Sequence, residues 1–369
     1  MALTLHGTVS DNTAVLSRRN ANPLIINGDM NIAQRATSVT GSTAGGYTTV
    51  DRMLLSIGTL GTWTIAQTAS APDDTGLTNS YRLDCTTADA SPAAGDYAIF
   101  STRLEGQDVQ LFKKGTSYAE KMTVSFWVKS NKTGTYIMEL DDNDNARNIN
   151  QAYTISSADT WEKKVLSFDG DTTGAFGNDN GSSLQILWWL GAGSNFTSGS
   201  LQTAWAGTDN TKRAVGNVNL GDNTANDWSI TGVQLEVGDF DANSIAPFQH
   251  ESFSDNLSRC ERYCQSTFSQ GTAIGAATAV GIQIQNTNTA GAGSMAQGVL
   301  LRTVMRAVPT IVVHNQTGGT TGSARRGDNG AMQALASGNA STSSIHFENS
   351  SGTTANIQLQ WQFSATAEL

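Results

Sequence analysis

Apolar and polar residues alternate with a period of two along most of this chain. In Met122-Thr-Val-Ser-Phe-Trp-Val-Lys129, the residues Met122, Val124, Phe126 and Val128 fall on one face, with Thr123, Ser125 and Lys129 on the other. A β-strand sends successive side chains to opposite faces, so this pattern predicts a strand with one face in a core. Tyr136, Met138 and Leu140 form a second row that ends in the Asp-Asn turn at 141–145. Trp161 opens a third segment through Val165 to Phe168, closed by Asp169-Gly170. Leu184, Ile186, Trp188 and Leu190 make a fourth, with Gln185 and Trp189 opposite, and Val233, Leu235 and Val237 a fifth. Gly-, Asn- and Asp-rich turns separate these runs and no long helical period intervenes. The chain is therefore expected to be all-β, an antiparallel sandwich.

One segment breaks the period. Leu257, Cys260, Cys264 and Phe268 recur at helical spacing, Ser252 or Ser254 stands where a cap is needed, and Asp255 favours the first turn. A helix through residues 251–266 is expected to link two β regions, 23–250 and 267–369. The second region is rich in Gly, Ala and Thr. Ile282 and Ile284 alternate there with Gln283 and Gln285, Ile311 and Val313 follow Pro309, and Ile357, Leu359, Trp361 and Phe363 alternate with Gln358, Gln360 and Gln362. With about 100 residues and few large apolar side chains, this smaller C-terminal β domain is expected to need a partner, and self-association supplies one. Residues 1–22 are short and polar and end in Ser17-Arg-Arg-Asn20. They suit either a frayed terminus or an attachment arm ordered on a neighbouring protein.

Composition narrows the function. The 369 residues hold 22 Lys+Arg against 32 Asp+Glu, a net charge of −10, which opposes nucleic acid and anionic lipid. Hydrophobic residues at 38% and eight tryptophans exclude a disordered chain. No apolar run approaches the ~20 residues of a membrane helix, and the start shows no secretory signal pattern. Three cysteines, Cys85, Cys260 and Cys264, make no complete disulfide framework. The expectation is three packed thiols in a protein made in a reducing cytoplasm.

Catalytic signatures are missing. His6, His250, His314 and His346 are scattered, and no nucleophile elbow, phosphate loop or zinc helix appears. Asp141-Asp-Asn-Asp-Asn145 opens like a calcium loop, but Ala146 and Ala152 stand where Gly and Glu belong, so a polar hairpin turn is expected. No metal site, cofactor or catalytic residue is assigned. Trp127, Trp161, Trp188 and Trp228 sit in or beside apolar alternation and are expected to pack the core. Trp189, opposite its row, and Trp205, in a loop-like stretch, are the candidates for carbohydrate contact, since an exposed indole face stacks on sugar rings. The alternative is that each packs against a second sheet, the helix or a neighbouring subunit.

An ordered series of strings carries a resemblance. Asn27-Gly-Asp-Met-Asn-Ile-Ala-Gln-Arg35, then Tyr47-Thr-Thr-Val-Asp-Arg52, resembles the opening of a tail-fibre-type module of tailed bacteriophages. Phe126-Trp-Val-Lys-Ser-Asn-Lys-Thr-Gly-Thr-Tyr136 and Ser194-Asn-Phe-Thr-Ser-Gly-Ser-Leu-Gln-Thr-Ala-Trp205 are similar to its central hairpin and a later loop. Gly232-Val-Gln-Leu-Glu-Val-Gly238, Pro247-Phe-Gln-His-Glu-Ser-Phe253 and Arg259-Cys-Glu-Arg-Tyr263 are similar to its closing strand and helix. The resemblance spans residues 23–266, with Met305-Arg-Ala-Val-Pro-Thr310 similar to a segment that follows the helix. It implies a jelly-roll sandwich like a carbohydrate-binding module, carried on a virion appendage as a homotrimer, with no catalytic residues to transfer. Asn27, Gly28, Asp29, Gln34 and Arg35 are expected to shape the first turn, with Asp29 and Arg35 pairing. Gln249 and Glu251 around His250, and Cys264 after Tyr263, depart from the usual pattern.

The resulting expectation is a virion structural protein of the tail-fibre or appendage class. Residues 1–22 would bind other virion proteins, and a host-surface glycan would be held without catalysis and without membrane insertion. A purely structural collar, baseplate or decorating fibre, and a glycan depolymerase with an unmarked carboxylate pair, are the alternatives.

Overall fold

The computed structural model describes residues 22–293, 295–318, 322–349 and 355–369. The expected arm lies outside the described residues apart from Asn22. In chain order the first β region contains β1 (Ser38–Ser42), β2 (Gly45–Gly46), β3 (Leu54–Gly58), β4 (Thr62–Thr68), β5 (Ser80–Thr87), β6 (Tyr97–Glu105), β7 (Met122–Ser130), β8 (Gly134–Asp142), β9 (Arg147–Ile155), β10 (Glu162–Phe168) and β11 (Ser182–Ala192). A one-turn helix α1 (Ser194–Thr197), β12 (Ala206–Gly207) and β13 (Asp227–Val237) complete it. Then come α2 (Phe253–Glu261), β14 (Cys264–Ser266), β15 (Gln283–Asn286), β16 (Ala296–Leu300), β17 (Thr310–His314), β18 (Ser323–Arg326), β19 (Met332–Gly338), β20 (Ser344–Asn349) and β21 (Gln358–Thr366).

Two antiparallel sheets, ordered β1-β4-β5-β13-β7-β10 and β12-β9-β8-β11-β6-β3-β2, face each other as a jelly-roll sandwich. Alternation dictates what lies between them. Met122, Val124, Phe126 and Val128 are fully buried, as are Tyr136, Met138, Leu140 and the Leu184–Leu190 row. Phe100 and Phe126 each pack 5.4 Å from the Trp188 ring, and Phe100 lies 5.4 Å from Trp228. Side chains of this size contribute about 1.5–3 kcal/mol each on burial, so the aromatic layer dominates the core. Trp127 and Trp161 are only half-buried and stand outside it. Lys129 Nζ sits 5.1 Å over the Trp161 ring, so that indole shields a cation stem and not the core.

The linking helix is shorter than its apolar spacing implies. Ser252 caps it by accepting the Asp255 amide, and it stops at Glu261. Cys264 continues as β14 because its backbone pairs with Thr366 of β21 and its carbonyl accepts Gln34 Nε2 at 2.8 Å. The smaller domain is one antiparallel sheet, β14-β21-β18-β19-β20-β16, with β15 and β17 also on β21. Leu359, Trp361 and Phe363 face its core as their alternation requires. Ile284 does not, because β15 pairs Gln283 and Gln285 with Trp361 and Leu359 and leaves Ile284 47% exposed.

The opening motif is a buried knot. Asn27 Nδ2 donates to the carbonyls of Ile32 and Asp51, both at 2.9 Å, while its Oδ1 accepts the Ile32 amide. Asp29 accepts from Asn256 at 3.0 Å and does not pair with Arg35. Arg35 instead bridges Asp51 (3.3 Å) and Glu368 (2.8 Å), and Arg52 pairs with Glu368 while lying 3.5 Å over the Tyr263 ring. Tyr263 donates to Glu105 at 2.6 Å, and Arg262 grips the same carboxylate at 2.7 and 2.8 Å. Arg103 reaches the Leu369 carbonyl at 2.5 Å. The residues after β21 are thereby clasped to the sandwich. Burial pushes the Asp51 carboxyl up to about 6 against the pull of Arg35.

Candidate functional site

Sequence reasoning singled out Trp189 and Trp205, and the structure treats them differently. Trp189 sits on the outer face of its sheet as the alternation requires, but residues 193–218 fold over it. Its ring is 0% exposed, packed 5.2 Å from Phe196, with Arg213 Cζ at 5.4 Å. Its indole N–H donates to Glu139 at 2.8 Å, and Arg213 pairs with the same carboxylate. Trp189 therefore offers no open face for stacking, so of the two readings the packed one holds and it is not a carbohydrate-contact residue. The reason is that this chain covers its own sheet with the α1 loop.

Trp205 is half-buried and belongs to a constellation assembled from five separate segments. Its indole N–H donates to the Asp169 carbonyl at 2.7 Å, and its ring lies 5.1 Å from Lys114 Nζ. That ammonium is wholly enclosed. It contacts Asp142 at 2.5 Å, Asp171 at 3.0 Å and the carbonyls of Thr173 (3.0 Å) and Gly174 (2.7 Å), with the Phe176 ring 5.3 Å away. Asp142 also accepts the amides of Asp144 (3.0 Å) and Asn145 (3.1 Å), forming the polar hairpin turn read from the sequence. Arg147 grips Asp171 at 2.7 and 3.1 Å. Burial works against ionising Asp171, but Arg147, the Thr173 amide and Lys114 hold it below the usual carboxylate range.

This node fastens the 106–120 loop to the 171–177 loop, and between them opens a cleft of about 580 Å³. Val109, Ala175 and Phe176 give it apolar walls, Gln110, Lys113 and Thr116 a polar rim, and Tyr118 stands at its mouth with 77% of its surface exposed. Gln110 ties the walls together by donating to the Gly106 and Gly177 carbonyls at 2.9 and 2.8 Å. Gly115 permits the close approach, since at φ +81° a Cβ would lie 2.5 Å from the Ala175 nitrogen. The volume suits a small ligand, and an exposed phenol beside the Lys113 ammonium is a hydrogen-bonding, stacking surface. Among the described residues the lining includes no carboxylate, and Glu120 stands behind it, paired with Lys113 at 2.8 Å. Tyr118 and Phe176 escaped sequence reasoning, which weighed tryptophans alone. The available signal was an aromatic residue inside the turn-rich stretch Lys113-Lys-Gly-Thr-Ser-Tyr118.

A second, more polar hollow of about 410 Å³ lies where the described chain begins, lined by Pro23, Gln107, Asp108, Arg259, Arg262 and Tyr263 among others. Burial raises the Asp108 carboxyl there, with Glu105 adding to the shift. Glu105 itself is pushed up by burial but brought below its ordinary value by Arg262 and Tyr263, which engage both its oxygens. All three cysteines are free and buried, and burial pushes the Cys264 thiol up to about 12, so none is a poised nucleophile.

No protein-family model and no curated protein sequence matches the chain. Solved structures similar to it include the enzymatically active domain of bacteriophage CBA120 tailspike protein 4, at 14% identity and a TM-score of 0.29, covering 54% of this chain and 21% of that one. A putative sugar binding protein from Bacteroides thetaiotaomicron is 16% identical with a TM-score of 0.30, covering 58% of this chain and 100% of that one. The family 11 carbohydrate-binding module of a Clostridium thermocellum cellulosomal cellulase is 9% identical with a TM-score of 0.27, covering 55% and 97%. This chain thus spans about a fifth of the tailspike domain's length. The fold stated above rests on its own strand order and registers.

Proposed function

We propose that this chain is a component of a bacteriophage appendage that attaches to a host-surface glycan through the cleft beside Tyr118, without catalysis. The cleft carries the binding half of the proposal. It joins the exposed Tyr118 phenol to the half-exposed Lys113 ammonium on loops stapled by a buried ion cluster, and pre-formed walls reduce the entropy lost on binding a sugar. The appendage half is supported by the ordered motif series, whose residues Asn27, Asp51, Arg52 and Tyr263 converge on one knot. Each contact would be weak, and repetition over several copies supplies avidity.

The test is binding of the purified chain to host cells and to a panel of bacterial surface polysaccharides. Tyr118→Ala is expected to weaken retention about tenfold, the loss of one stacking contact of about 1–1.5 kcal/mol. Wild-type protein that binds neither cells nor polysaccharide, or binding indifferent to Tyr118→Ala, overturns the proposal. A purely structural appendage is the second reading, favoured by the apolar side chains exposed on the smaller domain.

A further inference from the structure

Among the described residues, all of the exposed large apolar side chains except Tyr118 and Phe253 lie beyond residue 266. Four of them, Ile284, Val312, Met332 and Leu300, share one face. Directly opposite residues on antiparallel neighbours point the same way. Ile284 of β15 faces Gln360 of β21, Gln360 faces Arg325 of β18, and Arg325 faces Met332 of β19. Further along, Ala336 of β19 faces Glu348 of β20, which faces Ala296 of β16, and Leu300 closes the same face opposite Ser344. Ile284, Met332 and Leu300 are 47%, 46% and 82% exposed. Alternation would bury Ile284, so its outward placement is a departure that needs an occupant.

Charge says what that occupant is. Residues 267–369 hold four arginines and three carboxylates, whereas the chain has 22 basic and 32 acidic residues. Residues 1–266 therefore carry −11 and residues 267–369 +1, so this face is close to neutral. A strongly charged partner finds nothing to match. The two charges that the face does carry are Arg325 and Glu348. Arg325 has no carboxylate within ion-pair distance among the described residues and reaches Gln360 at 3.4 Å, and Glu348 has His346 at 3.9 Å. They stand on either side of β19, about 10 Å apart across the strands and about 13 Å apart along them. A half-turn about an in-plane axis through Ala334 exchanges their positions. The face is thus complementary to itself.

We infer that the outer face of the smaller sheet docks a second copy of this chain, face to face, with Arg325 of each copy against Glu348 of the other. Ala334, Ala336 and Gly298 leave room for Met332 to seat. Six strands of four to nine residues present about 600 Å² per copy, below the ~800 Å² of a standard interface, so the pair forms reversibly. The inference is independent of the Tyr118 cleft.

Sedimentation equilibrium of the full chain, with thermal melts to verify folding, tests it through Arg325→Glu, Glu348→Arg and the double reversal. Wild type is expected to dimerise, each single reversal to weaken the dimer about tenfold or more by setting like charges together, and the double reversal to recover most of the loss. Met332→Lys, which breaks the face without using the charge pair, is expected to weaken it as well. A wild-type monomer at every concentration, an oligomer of any order that ignores all four variants, or a double reversal no better than the singles overturns it.

Discussion

Replacing Lys114 by Met keeps the stem of the side chain and removes only the ammonium. In the structure that ammonium has four oxygen partners, two of them on carboxylates that are 0% and 4% exposed. Removing one member of a buried ion pair costs about 3–5 kcal/mol, because the remaining charge is left in a poorly polarisable surrounding. Two contacts limit the damage. Asp171 keeps its bidentate Arg147, and Asp142 keeps Asn145 Nδ2 at 2.9 Å. One carboxylate is left short of a counter-charge, so the loss is placed near 3 kcal/mol. For a sandwich of this size that is about 6–12 °C in Tm. Urea unfolding followed by tryptophan fluorescence reads it directly, since Trp205 lies against the ammonium. Lys114→Met combined with Asp142→Asn leaves no unbalanced charge at that position and is expected to recover more than half of the loss. A loss under about 1 kcal/mol, or a double variant weaker than the single, would show that water and not Lys114 satisfies Asp142.

Burial lifts the Asp51 carboxyl from its ordinary 3.8 up to about 6, so the fold favours its protonated form. The stability this contributes is fully present below pH ~4 and is lost as pH rises through 6, up to about 3 kcal/mol. Urea midpoints of wild type minus Asp51→Asn should therefore fall between pH 4 and 7, and a difference flat with pH refutes the assignment. Gly115→Ala meets both a left-handed φ and a 2.5 Å approach to backbone, and should cost about 1–3 kcal/mol while also reducing glycan retention. Trp361→Ala, at the centre of the smaller core, should cost about 3–5 kcal/mol in a melt, and a sandwich transition that does not shift would mark the two regions as separate cooperative units.

Local alternation made much of the fold legible. The Met122–Val128 and Ile357–Phe363 rows point inward because each faces a core rich enough to hold them. Ile284 misled, because register is set by the strand partner: Gln283 opposite Trp361 fixes which face β15 turns in. Cys264 likewise kept helical spacing yet became a strand once β21 offered it a ladder. The candidate site was hardly readable. Lys114 meets Asp142, Asp171 and the Phe176 and Trp205 rings across separations of 28 to 91 residues, which no local pattern encodes. Trp189 was correctly placed on its sheet's outer face, but the loop that covers it follows α1 and carries no periodic signal.

The position of β21 has a consequence for how the molecule is made. This strand pairs with β14, β15, β17 and β18, which precede it, so the smaller sheet has no central strand until residues 358–366 have been synthesised. The sandwich meets the same condition earlier, when β13 inserts between β5 and β7. During translation, then, a finished sandwich trails β14, β15 and β17, which have no ladder until β21 is made and whose open edges are templates for misassembly. The late, long-range closure makes the smaller sheet the slow step of maturation. A ribosome stalled before residue 358 should carry a protease-resistant sandwich followed by a cleavable tail.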